Sequence, residues 1–170
     1  MKCAFITGAA GFIGGYATRI FVKEGWHVLA LIHRTSSPEL EAMAANSSVT
    51  IIRGDVTDYD GVRSSIQAQM KERDLDLTAI VHCAGRASDV GWRREFRRTN
   101  FESVQHMVRL VKELNAGRLV FVSTTDVYGL RDFNGETEEE LVCAEKPGNY
   151  YPAFKIAAEN WIRRELPADK

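Results

Sequence analysis

Little in this sequence belongs to a secreted, membrane-bound or nucleic-acid-binding chain. Among its 170 residues there are only three cysteines, Cys3, Cys83 and Cys143. Their odd number and wide spacing fit neither a disulfide framework nor a zinc-ligand pattern, so free, buried thiols are expected. Long apolar runs are missing. A stretch such as VLALI, 28–32, is far too short to cross a bilayer. The N-terminus also lacks the charged-then-apolar layout of a secretory signal, and a cytoplasmic location is expected. Charge of one sign is not in excess, since 22 Lys and Arg face 23 Asp and Glu for a net charge of -1. That balance excludes nucleic acid or anionic lipid as the main partner. The Arg-rich stretch WRREFRR, 92–98, is local and reads as a solvated helix face. Internal repeats and low-complexity tracts are absent.

What is present is a rhythm. Short runs rich in Val, Ile and Leu recur at 3–7, 27–32, 49–52, 78–83 and 118–123. They are apolar throughout rather than alternating, as strands covered on both faces must be. Amphipathic stretches at 12–24, 38–45, 59–73, 94–115 and 151–165 fall between or after them. This β-α-β-α order predicts one α/β domain over 1–170, a Rossmann-type doubly wound parallel sheet of about five strands. Residues 129–149, polar and containing Gly, Pro and Asn, interrupt the rhythm. They exceed the ~12–15 residues usual for a structureless connection, and read either as a lid or binding loop or as a surface excursion.

After the first apolar run, ITGAAGFIGGYATRIF (6–21) places Gly8, Gly11 and Gly14 at the start of an amphipathic helix. A dinucleotide pyrophosphate needs such a turn, free of Cβ atoms, so that backbone N–H groups and a helix N-terminus can approach its charge. The spacing is G-x-x-G-x-x-G. Further along come GDVTD (54–58), VHCAG (81–85), Asn100, VSTTDVYG (122–129) and YPAFK (151–155). Together these motifs resemble the extended short-chain dehydrogenase/reductase family of NAD(P)-dependent epimerases, dehydratases and reductases, and the resemblance runs almost the whole chain.

The resemblance implies a nicotinamide nucleotide held by Gly8, Gly11, Phe12, Ile13 and Gly14, with Asp55 and Val56 at the adenine. Ala84 and Gly85 would line the adenosine and ribose, and Ser123 would lie beside the nicotinamide. His82 and Cys83 flank that site and read as packing. Which nucleotide binds is a separate matter. Folds that prefer NAD place an acid ~20 residues past the glycines, on the ribose 2′-OH. This chain has LIHRTSS there, 31–37, with no acid before Glu39. Arg34 could fork onto a 2′-phosphate, with His33, Thr35 or Ser36 adding donors, so NADP is expected over NAD.

Tyr151 and Lys155, four residues apart, share one helical face. Making a phenol useful at neutral pH takes a shift of ~3 units, about 4 kcal/mol. A cation ~4 Å away is worth about that much at an effective dielectric of 20. Neighbouring Tyr150 has no lysine four residues on. The resemblance implies that Tyr151 moves the proton at a carbonyl or hydroxyl carbon while Lys155 lowers its pKa and holds the nicotinamide ribose. Phe154 stands where the family commonly has Ser. Thr124 would hold the substrate oxygen, with Thr125 or Ser123 as its alternatives. Asn100 would stabilise the site through its backbone and a water.

Family members continue well past this point, so the chain is expected to be a cofactor-binding portion, truncated after the Tyr-x-x-x-Lys helix and lacking the C-terminal substrate lobe. Its substrate would be a small carbonyl or hydroxyl compound or a sugar nucleotide. A dehydratase is less favoured, because TTD at 124–126 lacks the Glu of sugar dehydratases. The alternatives are a non-catalytic NADP-binding sensor and an interaction module. The resemblance also implies a homodimer through the helices at 94–115 and 151–165. The fifth strand would become a sheet edge, an aggregation liability unless something covers it.

Overall fold

A computed structural model describes all 170 residues. Its elements alternate as the sequence rhythm predicts: β1 (Lys2–Thr7), α1 (Phe12–Lys23), β2 (His27–Ile32), α2 (Pro38–Ala45), β3 (Val49–Arg53), α3 (Tyr59–Arg73) and β4 (Asp76–His82). There follow α4 (Arg93–Arg97), a π-helical turn (Arg98–Glu102), α5 (Ser103–Glu113), β5 (Arg118–Phe121), a 3-10 turn (Thr125–Tyr128) and α6 (Tyr150–Glu165). The five strands pair in the order β3-β2-β1-β4-β5, and every pairing is parallel. This is the expected doubly wound α/β sheet.

Side-chain alternation along the strands divides the core in two. Cys3, Phe5, Leu29 and Leu31 point to one face, where Val62 and Ile66 of α3 and Met107 and Val111 of α5 cover them. Ala4, Ile6, Val28 and Ala30 point to the other, against Leu40 of α2 and Ala17 and Phe21 of α1. In β4 the pairing slips between Cys3 and Ala4, so Thr78 is the extra residue and Leu77 and Ile80 reach the same face.

The register places Ile52, Leu31, Thr7, His82 and Phe121 side by side across the C-terminal edge of the sheet. Chain order reverses between β1 and β4, and the crevice above that reversal is where open α/β sheets bind ligands. Every nominated site residue from the turns lies just past this row.

One expectation needs correction. The helix at 94–115 is not one regular α-helix. Ser103 N–H reaches back five residues to the Arg98 carbonyl, and Ser103 Oγ takes the Thr99 carbonyl instead, at 2.5 Å. The β5 edge is partly covered, because Leu119 N–H donates to the carbonyl of Lys170 and Lys170 Nζ reaches the Ala116 carbonyl at 2.9 Å. The final residues lie along the edge and satisfy one of its donors. No helix is long and apolar enough to cross a membrane.

Candidate functional site

The turn after β1 is built for close approach. Gly8 has φ +65°, and a Cβ there would stand 3.0 Å from the backbone nitrogen of Ala84. A Cβ on Gly14 would lie 2.2 Å from the Gly8 carbonyl oxygen, so only glycine lets α1 sit this near its turn. Gly11 N–H closes the turn onto the Gly8 carbonyl at 2.9 Å. As the N-cap of α1, Gly11 has no side-chain cap to offer, so the first amides of the helix are left to an incoming anion. Phe12 and Ile13 expose their side chains, and what they can offer a ligand is backbone N–H.

Beside this turn runs a cleft of about 910 Å³ lined by Gly8, His33, Arg34, Asp55, Val56, Ala84 and Gly85. The structure thus brings the adenosine-side residues into one place. Arg34 is exposed and forms no ion pair there, while His33 Nε2 lies 3.9 Å from Asp55. Burial pushes the Asp55 carboxyl up, but the Thr57 amide and hydroxyl, at 2.8 and 2.9 Å, with His33 and Arg98 nearby, hold it below the usual carboxylate range. Arg86, Arg94 and Arg98 line the same cleft. The 92–98 stretch is therefore not merely a solvated face. Arg94 of α4 and Arg98 of the π-helical turn stay exposed while bordering the cleft, and residue types alone gave no sign of which arginines would stand there.

Beneath the cleft lies a buried chain of hydrogen bonds. Ala84 N–H donates to Thr7 Oγ1 at 3.0 Å, and Thr7 Oγ1 lies 2.8 Å from His82 Nδ1. On the far side of the ring, His82 Nε2 lies 3.2 Å from Ser103 Oγ. With each hydroxyl supplying one proton, the directions assign the neutral Nε2–H tautomer. Burial, followed by the charges of Lys155 and His106, lowers the His82 pKa to about 3. As read from the sequence, His82 is a packing residue, and the hydrogen bonds give that packing its polar content.

Asn100 is fully buried in the π-helical turn. Its side-chain oxygen accepts from Arg86 N–H at 2.7 Å and its amide donates to the Arg86 carbonyl at 3.0 Å. The contact visible here is thus made by the side chain, which clamps the loop after β4. Gly85 sits over this clamp, where a Cβ would stand 3.2 Å from the Asn100 oxygen and 3.6 Å from Lys155 Nζ.

The residues nominated for proton transfer, Tyr151, Lys155 and Thr124, lie next to the cleft, not within its lining. Lys155 is 4% exposed. Its Nζ donates to the Val122 carbonyl at 2.6 Å and sits 4.5 Å from the centre of the Phe121 ring and 5.8 Å from that of Tyr151. Burial lowers its pKa to about 8, partly offset by Cys83 and Glu159. For Tyr151, burial raises the phenol, hydrogen bonding with Thr124 opposes the rise, and Asp126 adds to it. The expected lowering of this phenol by Lys155 is therefore corrected: in the chain alone the ammonium is turned to Val122 and the phenol is above its ordinary value. Thr124 caps the 3-10 turn through Asp126 N–H at 3.3 Å, and its partnership with Tyr151 favours it over Thr125, which is exposed. Tyr150 packs near Phe96, ring centres 6.1 Å apart.

Residues 4–165 match the model of the NAD dependent epimerase/dehydratase family. The chain belongs to that family. Among curated relatives of this epimerase/dehydratase-family chain, the dTDP-4-dehydro-6-deoxy-D-allose reductase of Streptomyces bikiniensis is 30% identical over 132 residues, covering 75% of this chain and 39% of that protein. The dTDP-glucose 4,6-dehydratase of Xanthomonas campestris pv. campestris strain B100 is 27% identical, covering 96% of this chain and 48% of that one. Of solved structures, the UDP-Glc/GlcNAc 4-epimerase of Campylobacter jejuni superposes with TM-score 0.80 at 23% identity, covering 97% and 49% of the two chains. The UDP-glucose 4-epimerase of Bifidobacterium longum, in complex with NAD+ and UDP, gives 0.78 at 23% identity, covering 96% and 48%. At such identities the superpositions establish the fold, and the chain spans half or less of each of these proteins.

Proposed function

We propose that this chain is the cofactor-binding portion of an NADP-dependent reductase, dehydrogenase or epimerase acting on a carbonyl or hydroxyl carbon. The observation that carries the reading is the meeting of Tyr151, Lys155 and Thr124 at the sheet edge beside the glycine-lined cleft. A nicotinamide nucleotide, when bound, supplies hydride exchange at that carbon. The cradle suits its pyrophosphate, since Gly8 and Gly14 let the turn, the loop after β4 and α1 pack closer than Cβ atoms would allow, and the first amides of α1 have no side-chain cap. Phe12 and Ile13 contribute their amides, Asp55 and Val56 hold the adenine, and Ala84, Gly85 and Ser123 flank the path to the nicotinamide. Lys155 holds ribose hydroxyls. Tyr151, protonated at neutral pH, donates to the developing alkoxide when a carbonyl is reduced and takes the proton back in the reverse direction. Thr124 holds the same oxygen, and Asn100 keeps the loop after β4 in place.

Arg34 and the missing acid at the end of β2 support NADP over NAD, with His33 as a further donor. Relatives named for dTDP- and UDP-sugars support a sugar nucleotide as the substrate class. The substrate lobe would lie outside these residues, and a cytoplasmic location and a homodimer through α5 and α6 complete the reading. One observation favours a second reading, a nucleotide-binding module without turnover: the Lys155 ammonium is turned to the Val122 carbonyl and burial raises the Tyr151 phenol. Titration with NADPH and NADH, on wild type and on Arg34→Ala, tests the first. NADPH should bind at least ~10-fold more tightly, and Arg34→Ala should remove that advantage. Equal affinities in the wild type would take Arg34 out of the account. Firm binding with no hydride transfer to any carbonyl panel would select the second reading.

A further inference from the structure

Two consecutive residues leave β5, each held by a side chain one turn apart on α6. Val122 offers its carbonyl to Lys155 at 2.6 Å. Ser123 Oγ donates to Glu159 Oε1 at 2.5 Å. The next residue, Thr124, lies near enough to Tyr151 to temper the rise of its phenol. Tyr151, Lys155 and Glu159 recur every four residues, so they form one stripe on the helix. Glu159 has no place in the chemistry described so far, yet its carboxylate is only 15% exposed. Its second oxygen accepts from Arg163 at 2.9 Å and lies 4.0 Å from Cys143 Sγ.

We propose that Glu159 is a positioning residue for the proton-transfer site: it fixes Ser123, and so aligns residues 122–124 with Lys155 and Tyr151, and it is the counter-charge of the buried Lys155. The inference rests on the proposed role of Lys155 in holding the ribose.

The charges around Lys155 single out Glu159. From β4, Cys83 is raised above its usual thiol range by burial, and His82 is neutral. On α6, Tyr151 is raised by burial and carries no charge near neutral pH. Asp126, on the 3-10 turn, acts on Tyr151 and does not figure among the groups that shift Lys155. Among the groups acting on Lys155, that leaves Glu159 as the anion at neutral pH. On the Glu159 side stand Arg163, which shares its charge, and Tyr128, whose phenol burial raises with help from Glu138 and Glu159. A cation sealed under Phe121 without an anion would give up its proton more readily, and the contact that holds the ribose would weaken.

The test is a pH titration of the Lys155 side chain by NMR in the full chain labelled at lysine. The wild-type midpoint should fall near 8. Glu159→Gln should lower it by about one unit, and the alkaline fall in NADPH affinity should move down in pH with it. Ser123→Ala, which removes the hydrogen bond and keeps the charge, should leave the midpoint within ~0.3 unit. A folded Glu159→Gln chain with an unmoved Lys155 midpoint overturns the inference. Should that variant not fold, Glu159→Asp decides, since it keeps the charge but draws it back by one methylene from Ser123 and Lys155: a lowered Lys155 midpoint supports the inference, and an unmoved one overturns it. Were the midpoint to move while the wild type bound neither nucleotide, the role of Glu159 would stand and the proposed function would fall. Nucleotide binding with an unmoved midpoint would have the opposite meaning, sparing the proposed function and removing Glu159 from it.

Discussion

The cleft over β1, β2 and β3 and the strip between β5 and α6 do opposite things with water. In the cleft, the groups on offer to a ligand are backbone amides and exposed cations such as Arg34, and little is hidden. Along the strip, Lys155 is sealed and its pKa is displaced by burial. The contrast teaches that an anion can be held in an open site by geometry that only glycine permits. Moving a proton at neutral pH instead requires side chains whose charge states are set by desolvation. His82 lies where the two regions join, hydrogen-bonded toward the glycine turn through Thr7 and toward the π-helical turn through Ser103, which donates to the Thr99 carbonyl.

The largest effect should come from breaking that joint with acid. His82 titrates near 3 in the folded chain against 6.5 when free. A histidine depressed on folding leaves the unfolded chain the stronger proton binder between those values. Stability is therefore complete above pH 6.5 and declines as pH falls toward 3, by about 5 kcal/mol in all. Urea unfolding between pH 7 and 4 measures this, and the decline should be accompanied by loss of both regions together.

Breaking the cleft alone comes next. Gly14→Val should cost about 3 kcal/mol of stability, because its Cβ meets backbone rather than a side chain able to turn aside. Nucleotide binding should be lost by calorimetric titration even where the chain still folds. Arg34→Ala sharpens the comparison, since it touches an exposed charge only. NADPH affinity should fall about 10- to 100-fold, NADH affinity should hardly change, and the thermal midpoint should stay within about 1 °C. Smallest of all in binding should be Tyr151→Phe, which should leave NADPH affinity within about threefold in the same titration. Its loss should appear only in turnover, if the chain is active with its substrate.

Much of this was legible because backbone requirements leave marks in sequence. Gly8, Gly11 and Gly14 announce a turn that no other residue can make, and the unbroken apolar runs of β1, β2 and β4 announce strands covered on both faces. Tyr151 and Lys155 were visible through their spacing, and Thr124 through its place in the strand-end motif. What sequence could not show was where charges end up. The spacing of Tyr151 and Lys155 suggested an ammonium lowering a phenol, whereas the Val122 carbonyl draws the ammonium away and burial raises the phenol. The arginines of the 92–98 stretch are exposed as its composition suggests, but residue type could not tell that Arg94 and Arg98 border the cleft. The π-helical turn at Arg98–Glu102 also left no mark, because RTNFE carries no residue type that separates it from an ordinary helical turn.

The central claim is that one nucleotide runs from the glycine turn to Lys155. Backbone and lysine side-chain NMR of the full chain titrated with NADPH tests it directly. The account predicts that the amides of Gly11, Phe12, Ile13 and Gly85 and the Lys155 side chain all shift together with one affinity. Saturation with NADPH that leaves the turn amides and Lys155 unmoved would contradict it.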